Sequence, residues 1–299
     1  MNGYIFSSLY FTILTFLLSV QFTSSLDCFD CKNCDSIASC TCDTIKSVDA
    51  KNSYCILLRE TSQGATNFEI RHIPWDYTPY ISDPYHISVV ETISYNEITR
   101  RWFSISNKII YACQTDRCNR ADLLKQLPAN GLSLMLPNNW LSDNLLRKSS
   151  TDTIICRECV SENKCNNGTR IIKGDQCNVK ICQGACLMDE KFDTTDTTQF
   201  CYESVCNDDE SVDPKFLLSQ ITITAVYYIN KKQLETVEMN VVCNGADCSR
   251  LQIFTDIRNK LEKDLNNIKP FLPMNHGNTI YSTSFIFLIM ALLQAFTPY

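Results

Sequence analysis

The 18 cysteines of this 299-residue chain are the residues whose type and spacing could do chemistry. Three kinds of chemistry are open to them. The close spacings of Cys28 with Cys31 and of Cys156 with Cys159 could hold zinc, a lone thiol could act as a nucleophile, and thiols in an oxidising compartment could pair as disulfides. None of the 3 histidines lies at ligand spacing from these cysteines, which disfavours zinc.

The N-terminal segment decides between these chemistries. Residues 1–25 contain no Lys, Arg, Asp or Glu, and a short apolar stretch is followed by Thr23-Ser24-Ser25. This layout predicts a secretory signal peptide that ends before Leu26. The alternative, a retained anchor helix, is disfavoured because the apolar stretch is shorter than the ~20 residues that span a bilayer. Export favours disulfides, so we predict no free thiol, no metal site and no cofactor.

The C-terminal segment, residues 270–299, is also uncharged. A polar spacer and a short apolar tail follow Asn275-His276-Gly277, and no basic residue follows the tail. This is the layout of a signal for a glycosylphosphatidylinositol (GPI) anchor. We predict attachment at Asn275 and removal of the tail. A short tail anchor, or cleavage at Gly277 or Ser282, is the alternative.

The cysteines between these termini fall into two blocks that repeat one another's order. Each block has a cluster of cysteines, then a long cysteine-free stretch, then a closing Cys-x4-Cys pair. Both blocks hold an even number of cysteines, so each could pair internally. The first block contains Cys28, Cys31, Cys34, Cys40, Cys42, Cys55, Cys113 and Cys118; the second contains Cys156, Cys159, Cys165, Cys177, Cys182, Cys186, Cys201, Cys206, Cys243 and Cys248.

The long stretches predict the elements that position the closing pairs. Residues Ile87–Tyr95 and Arg101–Tyr111 alternate in polarity and are rich in β-branched and aromatic side chains, as are Ile221–Ile229 and Leu234–Val242. Each pair predicts a β-hairpin. A module of this size buries little surface, so its disulfides should contribute ~2–5 kcal/mol each.

The residues around the cysteines resemble a known family. Leu26-Asp-Cys-Phe-Asp-Cys31 is similar to the opening Leu-x-Cys-Tyr-x-Cys of the lymphocyte-antigen and urokinase-receptor (LU, three-finger) family, and Cys113-Gln-Thr-Asp-Arg-Cys-Asn119 is similar to its closing Cys-x4-Cys-Asn. Ser249 stands where the second block would carry that asparagine. The resemblance implies a mostly β fold of two small disulfide-rich three-finger-like modules, with a linker and a C-terminal helix.

The resemblance also implies a disulfide pairing. Carried over to this chain, it joins Cys28 to Cys42, Cys31 to Cys34, Cys40 to Cys55, Cys113 to Cys118, Cys156 to Cys182, Cys159 to Cys165, Cys177 to Cys186 and Cys243 to Cys248, leaving Cys201 and Cys206 to each other.

The chain then divides into six parts: a signal peptide at 1–25, a first module at 26–120, a linker at 121–155, a second module at 156–250, a helix at 251–269 and a GPI signal at 270–299. In the linker we predict one short helix, Asp122–Leu127, and an irregular remainder. In the C-terminal helix, Leu251, Phe254, Ile257 and Leu261 share one face. We predict that this face packs on its own module; the alternative is a partner-binding helix.

No motif for catalysis is present, and a net charge of -6 without a basic patch disfavours nucleic acid and anionic lipid as partners. We therefore predict that the protein is not an enzyme. Asp208–Asp213 predicts a solvated turn rather than a calcium loop. Asn167 begins a glycosylation sequon.

The segment from Ile73 to His86 carries stiffening prolines and large aromatic faces of the kind enriched at binding hot spots. Its candidate partner-binding residues are Trp75, Tyr77, Tyr80 and Tyr85. The alternative is that these aromatics cover a thin β core.

These features predict a GPI-anchored protein at the extracellular face of the plasma membrane, which binds an extracellular or cell-surface protein through loops of the first module. One alternative is a soluble secreted ligand or inhibitor with the same modules. Another is a secreted enzyme of unfamiliar type.

Overall fold

The structure is a computed structural model. It describes residues 25–34, 42–62, 64–74, 83, 85–124, 126–127, 133–149, 152–159, 165–167, 177–192, 199–208 and 219–264. This part of the chain is mostly β, as predicted. The strands are β1 (Ser25–Phe29), β2 (Cys31–Cys34), β3 (Ile45–Asp49), β4 (Ser53–Ser62), β5 (Ala65–Pro74), β6 (His86–Asn96), β7 (Arg101–Cys113), β8 (Ser133–Met135), β9 (Ile154–Glu158), β10 (Cys165–Asn167), β11 (Asn178–Cys182), β12 (Ala185–Phe192), β13 (Gln199–Asn207), β14 (Gln220–Tyr228), β15 (Gln233–Cys243) and β16 (Glu262–Asp264). The helices are α1 (Ala121–Leu124), α2 (Asn138–Leu145) and α3 (Gln252–Lys260).

Ten of these strands form one continuous sheet, in the order β10-β13-β12-β15-β14-β6-β7-β4-β5-β2. Each cysteine block supplies five strands, and the two sets follow the same relative order outward from the centre. The predicted hairpins are confirmed as β6–β7 and β14–β15. Antiparallel pairing of β6 with β14 joins the two blocks, so the sheet runs through both of them.

The junction between the blocks is a ladder of nine residue pairs in which His86 lies opposite Tyr228 and Ser94 lies opposite Gln220. Near its middle the hydroxyl oxygens of Thr92 and Thr222 are 3.1 Å apart. Pairing of two β-rich hairpins removes an exposed sheet edge from each block, which explains why the blocks share a sheet.

One face of the central sheet is covered by the linker and by α3. Directly paired residues share a face of a sheet, and Glu190, Met239, Ile223 and Glu91 form one such row. All four are buried, and Arg258 of α3 donates hydrogen bonds of 2.8 and 2.9 Å to the two carboxylate oxygens of Glu190. The prediction that the C-terminal helix packs on its own module is confirmed.

The linker and the C-terminal helix differ in extent from the predictions. The first linker helix ends at Leu124 rather than Leu127, and the remainder contains β8 and a second helix, α2, whose Leu141 and Leu145 are buried. The C-terminal helix ends at Lys260 because the chain then pairs with β8 as β16. Backbone pairing with a distant segment therefore overrides the helical periodicity, and residues beyond 264 lie outside the described part.

The disulfides are paired differently from the expectation. Those in which both side chains are described are Cys28–Cys55, Cys31–Cys42, Cys113–Cys118, Cys156–Cys186, Cys159–Cys177, Cys182–Cys206 and Cys243–Cys248. The implied bridges Cys113–Cys118 and Cys243–Cys248 are confirmed. The implied bridges Cys28–Cys42, Cys31–Cys34, Cys40–Cys55, Cys156–Cys182, Cys159–Cys165, Cys177–Cys186 and Cys201–Cys206 are wrong.

Strand register explains the correction. In the β9–β11 ribbon Cys156 lies opposite Lys180, and the same antiparallel register carried three residues further brings Cys159 opposite Cys177. In the β1–β3 ribbon Cys28 lies opposite Lys46, which likewise brings Cys31 near Cys42. Cysteine order along the chain does not specify this register.

Different buried side chains tie the two closing loops to the first strand of their blocks. Asn119 is fully buried; its Oδ1 accepts a 3.0 Å bond from the backbone N–H of Phe29, and its Nδ2 lies 2.9–3.2 Å from the carbonyl oxygens of Phe29, Ile56 and Arg71. In the second block, Ser249 Oγ accepts a 2.7 Å bond from the N–H of Arg157, the residue that corresponds to Phe29. The substitution of serine for asparagine thus keeps one of these bonds.

Candidate functional site: the β6–β7 hairpin tip

The tip of the β6–β7 hairpin is held in one conformation by its own residues. Asn96 Oδ1 accepts 2.9 Å hydrogen bonds from the backbone N–H groups of Ile98 and Thr99. Arg100 closes the turn with a φ of 52°, in the left-handed region. A turn fixed in this way loses little conformational freedom when it binds a partner.

This tip exposes an aliphatic and an aromatic side chain beside two arginines. Ile98 is 94% exposed and Phe103 is 46% exposed. Arg100 and Arg101 are also exposed, and within the described ranges neither forms an ion pair with a carboxylate. Arginine and large aromatic residues are enriched at binding hot spots.

The base of the tip is anchored to the linker. Trp102 is 6% exposed, and its Nε1 donates a 3.1 Å hydrogen bond to the Ser142 hydroxyl on α2. Its ring centroid lies 5.5 Å from that of Tyr95. The exposed residues of the tip are therefore supported by a buried, hydrogen-bonded tryptophan at its base.

The corresponding tip of the second block is used differently. Lys232 closes the β14–β15 turn with a φ of 53°, as Arg100 does in the first block. There, however, the N–H of Ile229 donates to the Tyr85 carbonyl at 3.1 Å, and Asn230 Nδ2 donates to the Asp83 carboxylate at 3.1 Å. Both turns are exposed, but Asn230 of the second turn is tied to a carboxylate of the first block, whereas Ile98 of the first turn presents an apolar side chain to solvent.

Of the predicted partner-binding residues, the structure describes one, at the end of β6 opposite the hairpin tip. Trp75, Tyr77 and Tyr80 are outside the described residues, while Tyr85 is half-buried immediately before β6. The ten residue steps from His86 to Asn96 correspond to about 33 Å of strand. Tyr85, the described member of the predicted set, is therefore remote from the hairpin tip.

His86 closes the aromatic segment and is 1% exposed. Its Nδ1–H donates to the carbonyl of Asp83 at 2.8 Å, and Tyr54 packs edge-on against its ring. Burial lowers the pKa of His86 from 6.5 to about 4, and the hydrogen bond to Asp83 and the Asp83 charge oppose this shift only partly. The imidazole is consequently neutral in the folded protein at pH 7.

This depressed pKa predicts acid sensitivity. Because unfolded His86 titrates near 6.5 and folded His86 near 4, its contribution to stability is complete above pH 6.5 and is lost as the pH falls toward 4. We expect this group alone to lower the free energy of unfolding by about 2 kcal/mol between pH 7.5 and pH 5.

Urea unfolding of the wild type and of His86→Phe at the two pH values measures this contribution, with the more exposed His72→Gln as the control. The expected result is a smaller loss in His86→Phe than in the other two proteins. Equal losses in all three would contradict the assignment.

The remaining predicted sites are placed as follows. Asn167 ends strand β10, and its backbone alone is described; Asn275 lies outside the described residues. Asp208 Oδ1 accepts a 2.6 Å hydrogen bond from the N–H of Gln183, and the rest of the predicted turn, 209–213, lies outside the described residues. In the described part of the chain, two groups of three cysteine sulfurs lie close enough to hold a metal, but all six sulfurs belong to disulfides and so are not zinc-binding thiolates.

Sequence reasoning did not identify Ile98, Arg100, Arg101 or Phe103. A signal was present, since Ile98 is an apolar residue at the centre of a predicted polar turn, Asn96–Thr99. The contact of the corresponding second turn with Asp83, in contrast, depends on the pairing of the two blocks.

Comparison with known proteins does not identify a family for this chain. The chain matches no protein-family model, no curated protein and no solved structure. Among the described helices, none has the length and apolar composition needed to cross a membrane.

Proposed function

We propose that this is a GPI-anchored protein of the outer cell surface, related to the LU family, that binds another extracellular protein through the β6–β7 hairpin tip. The observation that carries the proposal is the fixed turn that presents Ile98, 94% exposed, beside two arginines that form no ion pair with any described carboxylate. A partner with an apolar pocket and an acidic rim fits this surface, because Ile98 can enter the pocket while the arginines meet carboxylates.

The proposed address has separate support. The signal-like N-terminus, the GPI-like C-terminus and the disulfides all fit the secretory route. The protein should therefore leave the surface of expressing cells when they are treated with a phosphatidylinositol-specific phospholipase C. Protein already in the medium, with none released by the enzyme, would instead support a secreted ligand or inhibitor.

The binding function predicts a large effect of changes at the tip. Wild-type protein is tested by surface plasmon resonance against a panel of purified extracellular domains, and any binder is retested with Ile98→Asp and Arg101→Glu. We expect at least a 30-fold loss of affinity for each, since hot-spot residues contribute roughly 2 kcal/mol or more.

The matched control is Val179→Asp, which makes the same aliphatic-to-acid change at a residue 66% exposed on β11. It should bind as the wild type does. Unchanged binding of Ile98→Asp, with loss in Trp75→Ala, would move the site to the aromatic segment and overturn the assignment to the hairpin tip.

A further inference from the structure

A polar cleft separates the β6–β7 tip from the closing loop of the second block. It encloses about 210 Å³. The lining residues that matter here are Tyr95, Glu97, Arg100, Arg147, Ser219 and Asn244. The volume is below that of drug-sized ligand pockets, so the cleft suits a small ligand or one group of a larger ligand.

The walls of the cleft are fixed by one contact between the two blocks and one between the linker and the second block. The N–H of Tyr95 donates to the carbonyl of Ser219 at 2.9 Å, and the N–H of Arg147 donates to Asn244 Oδ1 at 3.1 Å. Gly245, next to Asn244, allows close approach of the linker, because a Cβ there would lie 3.1 Å from the carbonyl oxygen of Leu146. These contacts fix the positions of the cleft walls in the fold.

The cleft presents donors that lack acceptors. Arg100 and Arg147 form no ion pair with any carboxylate in the described ranges, and Glu97 is the single acidic residue of the lining. Ser219 is 4% exposed, and its buried Oγ has no hydrogen-bond partner among the residues described. A buried hydroxyl without a partner carries an energetic cost, which a bound acceptor would remove.

The duplicated architecture shows what occupies the corresponding position in the other block. Ser219 immediately precedes β14 as Tyr85 immediately precedes β6, and each carbonyl accepts a backbone bond from the opposite hairpin. Beside Tyr85 lies the buried carboxylate of Asp83, which accepts hydrogen bonds from the N–H of Tyr85 at 2.9 Å and from Asn230 Nδ2 at 3.1 Å. The first block therefore fills this position with its own carboxylate.

We propose that the cleft beside Ser219 binds a carboxylate group supplied by a small ligand, held by Arg147, Arg100 and the Ser219 hydroxyl. The two arginines and Glu97 leave one net positive charge, which matches a singly charged carboxylate better than phosphate, a mixture of monoanion and dianion at pH 7. This site does not depend on the proposed protein partner, because Arg147 and Ser219 lie outside the hairpin tip.

The test is an NMR titration of the purified, disulfide-bonded protein at pH 7 and constant ionic strength. The probes are sodium acetate for a simple carboxylate, glucuronate for a sugar acid, and inorganic phosphate. We expect saturable shifts of the Ser219 and Arg147 amide signals with both carboxylates, half-complete at roughly 10 mM, and at least threefold weaker binding of phosphate.

Arg147→Gln should weaken acetate binding at least tenfold, and Ser219→Ala should weaken it severalfold. Lys148→Gln, the same charge change one residue further and outside the lining, should bind acetate as the wild type does. Non-saturable shifts, equal shifts in Arg147→Gln and Lys148→Gln, or tighter binding of phosphate than of acetate would each overturn the proposal. The hairpin-tip function would survive that result, since Arg147→Gln leaves Ile98 and Arg101 unchanged.

Discussion

Asn119→Ala is expected to lower the free energy of unfolding by roughly 4 kcal/mol. The side chain is fully buried and bonds to the backbone of three separate strands, β1, β4 and β5, through Phe29, Ile56 and Arg71. Alanine leaves several of these backbone groups buried and unpaired, at about 1–3 kcal/mol each. The thermal midpoint should therefore fall by about 10 °C.

The duplication supplies a matched control for this prediction. Ser249 is also fully buried, and its side chain accepts one bond, from the N–H of Arg157. Ser249→Ala should therefore cost only about 1–2 kcal/mol. Asn119→Ser, which copies the second block into the first, should fall between the two. Calorimetry that ranks Ser249→Ala above Asn119→Ala would show that Asn119 is not the tie between these strands.

The second large effect is expected on removal of the Cys28–Cys55 bridge. The bridge joins residues 27 apart in sequence, and a loop of that length is worth about 3.5 kcal/mol in the chain-entropy description. The double variant Cys28→Ser/Cys55→Ser should lose about that much stability. It should contain no new thiol, because Cys31 and Cys42 remain paired with each other.

The family-like pairing makes a different prediction for the same variant. With Cys28–Cys42 and Cys40–Cys55 as the native bridges, the double substitution would leave Cys40 and Cys42 without their partners. Thiol counting and non-reducing peptide mapping of the purified variant separate the two schemes. A wild-type peptide that joins Cys28 to Cys42 would refute the pairing seen here. The bridge Cys113–Cys118, common to both schemes, serves as the internal control.

The sequence predicted the hairpins well because their signal is local. Alternation of β-branched and aromatic residues over Ile87–Tyr95 and Ile221–Ile229 is a property of the segment itself, and β6 and β14 form within one or two residues of those bounds. The closing pairs Cys113–Cys118 and Cys243–Cys248 are local for the same reason. The sequence also predicted the short linker helix and the apolar face of α3, but it did not predict where either helix ends.

The candidate sites depended on contacts that no local pattern encodes. Ile98 and Asn230 occupy corresponding, exposed positions in two similar hairpin turns, yet the hydrogen bond of Asn230 to Asp83 of the other block cannot be read from either turn. The cleft around Ser219 and Arg147 combines residues from both blocks and the linker. The pairing of β6 with β14 places Asn230 beside Asp83 and Ser219 beside Tyr95.

The sequence by itself determined the cysteine content, the repeated order of the two blocks and the β-hairpins, because these are properties of composition and short-range periodicity. The signal peptide, the GPI signal and the glycosylation site stay predictions from the same kind of pattern. The tertiary structure alone decided the partners in the other disulfides, the shared ten-stranded sheet and the exposure of the hairpin-tip residues. The physical reason is strand register: a shift of one residue changes every partner across a ladder without changing the local pattern that forms the strand.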